Sequence, residues 1–367
     1  MKKIIIAIFF LYPAFLYSAG NSSLDILKQD FSPRAIALGG SYAAIGDDVY
    51  SIYYNPASIT DIKSTELGFS HSSGFEATSI NYLGYAMPLP YLGLAKLDKG
   101  VMGFYFYTTS LGDFTYRHIE NDGSVSINNL NAERNNIFSL TYGEKISVSE
   151  TQLESKKLFL ENYAALSIKY VSSNLLETYS AKTFAFDIGY KLKESNYNLI
   201  FGLSLLNIGG KLKYISESYD LPQTLKASLC YKTYPASGLN INYALEYDKF
   251  TNDKENSINM GFELWIKKAL YLMGGYRSMK DNKGPSFGIG FAVSNFKLDF
   301  SSSFLSVYDY SAFSFSYKFN PVFYEKNEVI KSEEKTIKEK PKKTVVQDKK
   351  EDKPKPKSKD NDWLLLY

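Results

Sequence analysis

Residues 258–266 read INMGFELWI, and the side chains alternate. Ile258, Met260, Phe262, Leu264 and Ile266 share one face of an extended chain; Asn259, Gly261 and Glu263 share the other. A period of two is the mark of a strand whose faces meet different surroundings. The pattern recurs from residue 66 to 319. In TFAFDIGY, Phe184, Phe186, Ile188 and Tyr190 oppose Ala185, Asp187 and Gly189. In FSFSYKF, Phe313, Phe315, Tyr317 and Phe319 oppose Ser314, Ser316 and Lys318. The apolar face carries aromatics near the strand ends. The polar face is mostly Gly, Ala, Ser and Asn with scattered charges. That division suits a wall with lipid outside and a polar lumen inside better than a soluble sandwich. Aromatic residues make up 16% of the 367-residue chain, with 31 Tyr and 25 Phe.

Fourteen segments carry the alternation: 66–73, 78–88, 100–111, 135–143, 159–175, 180–193, 197–207, 222–233, 237–248, 255–266, 269–278, 284–293, 295–304 and 311–319. An even number closes an antiparallel barrel. The expected fold is all-β, a 14-stranded antiparallel transmembrane β-barrel. With both ends periplasmic, every second connection should be short. ESN (194–196), YPAS (234–237), KKA (267–269) and SN (294–295) fall in those places. The connections 112–134, 208–221 and 249–254 are longer and read as external loops. Two links on the short side, 89–99 and 144–158, are longer than expected, and SVSETQLESKKL in the second could hold a helical turn.

The ends differ from the barrel. Residues 1–20, MKKIIIAIFFLYPAFLYSAG, pair two lysines with a short apolar run and small residues, the pattern of a cleaved export signal. A mean hydropathy of −0.24 is too low for a bundle of membrane helices. Past Phe319 the composition changes, and residues 325–362 are rich in Lys, Glu, Asp and Pro before a final WLLLY. Such a composition cannot bury enough apolar surface to order itself, so a disordered periplasmic tail is expected. WLLLY is either an ordinary terminus or a hook for a periplasmic or membrane-surface partner. The domain reading is signal 1–20, N-terminal plug segment 21–65, barrel 66–319 and tail 320–367.

Between signal and barrel lies SPRAIALGGSYAAIGDDVYSIYYNPASIT (32–60). Residues 34–44 can form a short helix ended by Gly46. Asp47 or Asp48 can cap the next turn. Pro56 restricts Asn55, whose side chain can bond its own backbone two residues on. The segment reads either as inert filling or as a hatch that shifts for a ligand. Its Gly39, Gly40, Asp47, Asp48, Asn55, Pro56 and Ala57 resemble the N-terminal signature of FadL-type and PorV/PorQ-type outer-membrane barrel proteins. Segments 166–193, 199–232 and 284–303 resemble strand pairs of the PorV-like branch. The resemblance spans about residues 30–319. It implies a plugged 14-stranded barrel in the bacterial outer membrane, contacting its lipid and passing small hydrophobic, fatty-acid-like compounds without energy input. It also implies an alternative, a PorV-like scaffold or shuttle for proteins secreted by a type IX-like route, with the tail as a docking element.

Other chemistry is sparsely represented. The net charge is +3, not gathered in a folded patch, so no nucleic-acid partner is expected. The only histidines, His71 and His118, fall in or beside external loops and lack metal-ligand spacing. Cys230 is the lone cysteine and faces the lumen by alternation. Adjacent Asp47 and Asp48 suit a cap better than acid–base work. No enzyme activity, metal or cofactor is expected. Lys169, Asp187, Lys226, Glu263, Lys297 and Asp299 are the charged lumen candidates, able to orient a ligand's head group or to pair with one another.

Overall fold

The structure, a computed structural model, describes residues 22–74, 78–120, 122–153, 156–253 and 255–319. The expected signal (1–20) and tail (320–367) lie outside them. Among the described residues, sixteen strands come after four short helical turns. They are β1 (Glu66–Ser73), β2 (Ser79–Leu92), β3 (Lys99–Ile119), β4 (Val125–Leu153), β5 (Lys156–Leu175), β6 (Tyr179–Glu194), β7 (Leu199–Ile208), β8 (Lys211–Lys213), β9 (Ser218–Asp220), β10 (Thr224–Ala236), β11 (Leu239–Phe250), β12 (Glu255–Ile266), β13 (Leu270–Met279), β14 (Lys283–Val293), β15 (Phe296–Phe304) and β16 (Asp309–Lys318). All but β8 and β9 form one closed barrel, each strand antiparallel to its neighbours. β1 closes on β16 in the register Glu66↔Lys318 to Ser73↔Ser311. Closure pairs every strand edge in the ring, as a wall in hydrocarbon requires.

The fourteen barrel strands are those the alternation marks. Phe184, Phe186 and Ile188 stand outward and exposed, while Ala185 and Asp187 point inward and are buried. Ile258, Met260 and Phe262 are exposed, and Asn259 and Glu263 fully buried. The wall thus presents an apolar outer belt and a polar inner face. Lys267 and Lys268, both at positive φ, make the tight β12–β13 turn.

Two expectations need correction. The connection 112–134 is mostly strand: β3 and β4 run on as a hairpin from Asp113↔Asn131 to Ile119↔Val125, which places His118 on β3. Among its described residues, the link 144–158 is strand and not a helical turn, because β4 and β5 stay paired to Leu153↔Lys156. Long polar strands satisfy their backbone through the ladder as well as a loop would through water. The 208–221 loop contains the small β8–β9 hairpin.

The barrel has a proximal end, where β1 begins and β16 finishes, and a distal end. The β6–β7 ladder is irregular: Phe186 faces Ile208, yet Ile188 faces Leu205. Distal to this point β7 stops, and β8 lies beside β6, with the Lys211 amide donating to Thr183 Oγ1 at 3.2 Å.

Candidate functional site

Residues 24–62, which precede β1, lie within the barrel and are almost all buried. They contain α1 (Pro33–Ala37) and short 3-10 turns at Val49–Tyr53 and Pro56–Asp61. Apolar residues of this segment and inward wall residues such as Tyr82, Tyr105 and Tyr107 form one buried cluster. Fully burying a large apolar side chain is worth roughly 1.5–3 kcal/mol, so such contacts contribute to the hold on the segment.

α1 is shorter than the expected 34–44 helix and is ended by Gly39 and Gly40, both at positive φ, not by Gly46. The reason is tertiary. A Cβ on Gly39 would lie 2.7 Å from the Tyr276 backbone of β13, so the chain must turn where it meets the wall. Asp48 is the cap, accepting from the Ser51 amide at 3.2 Å. Asp47 has another task, an ion pair with Arg34 at 2.6 Å.

Asn55 forms the expected local bond, accepting from the Ala57 amide at 3.0 Å. Its Nδ2 also donates to Ala43 O at 3.0 Å and to Tyr190 O of β6 at 3.2 Å. Asn55 therefore joins two parts of the segment to the wall, while Pro56 and Ala57 lie in the next turn. Gly189 allows the approach, since a Cβ there would collide with the Asn55 side chain and the Ala57 amide.

Each charged lumen candidate is buried or nearly so, and each is paired. Lys169 meets Asp187 at 2.7 Å and donates to Asn207 at 2.9 Å. Lys226 lies 2.9 Å from both Glu246 and Asp248. Glu246 in turn accepts from the Tyr42 and Ala43 amides at 2.9 and 2.7 Å. Lys297 lies 3.2 Å from Asp48 and 4.0 Å from Asp299. Asp299 also accepts from Tyr271 and Ser314. Glu263 forms a two-pronged pair with Arg34 at 2.6 and 3.0 Å. The fork geometry suits a guanidinium.

The sequence reading missed Arg34, the hub of this network. It also missed Asp30, Asp61, Lys191 and Lys193. Arg277 pairs with Asp30, and Lys193 with Asp61. Lys191, fully buried, donates to Gly46 O at 2.8 Å, Ser58 Oγ at 3.2 Å and Asp61 at 2.8 Å. Burial pushes the Asp61 carboxyl up, but the two lysines outweigh it and hold it below the usual aspartate range. Lys191 and Lys193 do stand on the polar face of an alternating strand, and that was the available signal.

Cys230 is buried, as alternation requires. His71 Nδ1 lies 2.8 Å from Asn81 Oδ1, and His118 stacks on Tyr116. A cavity lined by Leu27, Lys28, Asp30, Tyr53, Tyr54 and Lys169, among others, leaves about 20 Å³ for the centre of a water-sized sphere. That is room for about one water. It borders the irregular point of the wall through Leu206 and Asn207.

No protein-family model and no curated protein sequence matches the chain. Solved structures resemble it. A deletion mutant of TodX, a monoaromatic hydrocarbon channel, has a TM-score of 0.50 at 11% identity, over 79% of this chain and 99% of that one; TodX is the P. putida toluene transporter. A Pseudomonas aeruginosa FadL homologue has a TM-score of 0.48 at 9% identity, covering 82% and 100%. The Ralstonia pickettii toluene transporter TbuX has 0.45 at 11%, covering 79% and 98%. At such identities the TodX likeness speaks for the barrel fold alone.

Proposed function

We propose that the chain is a bacterial outer-membrane barrel that admits small hydrophobic compounds by diffusion, and that residues 22–62 are a plug closing its lumen. The observation that carries this reading is how the segment is held. Its ties to the barrel wall run through side chains, from Arg34–Glu263 to Asp61–Lys191, so the segment can shift without opening the wall. As it stands the cavity takes about one water, and any larger cargo needs such a shift. The apolar outer belt supports a membrane location. The cargo class follows the TodX barrel, a monoaromatic hydrocarbon channel, and the FadL-type resemblance of residues 32–60. Lys28, Lys169 and Lys226 line the cavity together with Asp30, each lysine already paired with a carboxylate, so the lining favours an uncharged cargo over an acidic one. The irregular β6–β7 ladder beside it offers a sideways route.

The test is uptake into proteoliposomes. The refolded barrel should pass small hydrophobic solutes and hold back polar solutes of equal size; absence of any passage would defeat the reading. A second reading, a non-transporting scaffold of the PorV type, is favoured by the pairing of Lys169, Asp187, Lys226, Glu263, Lys297 and Asp299 within the lumen, which leaves none of them for a cargo. It expects no passage and retention of a secreted or periplasmic protein on the folded barrel.

A further inference from the structure

Phe31 has an unusual setting. Its ring lies nearly parallel to Tyr82 at 4.5 Å and 20°, and to Tyr54 at 5.7 Å and 22°. Two more rings meet it edge-on, Tyr53 at 5.0 Å and 88° and Tyr107 at 5.6 Å and 71°. Stacked and edge-to-face contacts are the two favoured aromatic geometries. The tyrosines are positioned by their hydroxyls. Tyr82 donates to Val49 O at 2.7 Å and Tyr53 to Leu27 O at 2.9 Å, while Tyr54 accepts from the Phe31 amide at 3.1 Å.

This four-ring box sits on the seam between segment and wall. Tyr53 and Tyr54 belong to the segment, Tyr82 and Tyr107 to β2 and β3. Tyr53, Tyr54 and residues 27–30 also line the one-water cavity, so the box adjoins it. The Phe31 ring is therefore a benzene-sized group occupying a formed aromatic site beside the cavity.

We propose that the box is a binding site for a single uncharged aromatic ring, and that Phe31 is its built-in competitor, displaced when such a ring enters. This deepens the plug reading and rests on it. The ring can be a whole small molecule or the end of a longer one. A tethered ring competes at high effective concentration. Free ligand therefore binds the wild-type protein weakly, because only the small fraction of boxes that Phe31 has vacated can receive it.

The experiment measures binding of 4-fluorophenol by fluorine NMR to refolded full-length protein, with cyclohexanol as a saturated competitor of similar size. Phe31→Ala should bind 4-fluorophenol at least about tenfold tighter than wild type, roughly the worth of one or two aromatic contacts. Cyclohexanol should displace it poorly. Phe31→Trp should stay at the wild-type level, and Tyr82→Leu added to Phe31→Ala should undo the gain. Heat-modifiable migration establishes that each barrel is closed; if Phe31→Ala does not fold, Phe31→Leu, which vacates part of the box, carries the same comparison with a smaller gain. A folded variant that binds no tighter than wild type, or that takes cyclohexanol equally well, overturns the proposal. Binding here is read without transport. A barrel that binds the ring but passes no solute would count against the uptake reading alone.

Discussion

Replacing Arg34 with Met tests the ionic hub directly. The side chains are similar in volume, so the buried space is largely kept while the guanidinium and its charge are lost. Glu263, fully buried, then keeps the Asn242 amide, which donates at 2.8 Å, the Trp265 indole N–H and the attraction of Lys297, but no ion pair. Asp48 retains Lys297 and the Tyr42 hydroxyl. Asp47 is half exposed, so solvent screens its loss. The cost is dominated by the stranded Glu263, and breaking a buried pair from one side costs roughly 3–5 kcal/mol. At about 1.4 kcal/mol per decade, the seated segment becomes less favoured by roughly two to three and a half orders of magnitude. The barrel ladder is untouched, so heat-modifiable migration should persist. Leak of small polar solutes from proteoliposomes should rise. Adding Glu263→Leu removes the stranded charge and should restore most of the seal. A single variant that stays sealed, or a double variant that leaks as much as the single one, would refute the view that the Arg34–Glu263 pair holds the segment in place.

Other perturbations address separate ties. Gly189→Leu drives a side chain into Asn55 and Ala57 and should raise leak, whereas Gly238→Ala in the β10–β11 turn should not. Asn55→Ala removes three hydrogen bonds; at about 1 kcal/mol net for each, leak should rise by about two orders of magnitude, and an unchanged seal would show that these bonds are replaced by others. The Asp61 carboxyl is held below its unfolded value, so its stabilisation is present above about pH 4 and is lost as pH falls through the folded value. The seal should thus hold from neutrality to about pH 4 and loosen below, and Asp61→Asn should reduce that dependence in a leak-versus-pH series. Deleting residues 22–62 removes no strand, and the wall charges left behind rehydrate; the barrel should stay closed and conduct small ions, and a folded but sealed deletion would mean that the segment does not occlude the lumen.

Much of the wall was readable residue by residue. The facing of Phe186 or Asp187 comes from a backbone geometry that repeats every two residues, so it is a local property, and the strand number is then a matter of counting. The Asn55–Ala57 turn and the Asp48 cap were equally local, each bond spanning two or three positions. What lay beyond the sequence was long-range. Arg34 meets Glu263, 229 positions later, only because closure of β1 on β16 brings β12 round to α1. The end of α1 was set by the Tyr276 backbone pressing on Gly39, not by the helix's own residues. Phe31 reads as one more apolar residue until β2 and β3 place Tyr82 and Tyr107 around it. Periodicity reports which way a side chain points; which side chain it meets depends on the register and closure of the whole ladder, and that information exists only in three dimensions.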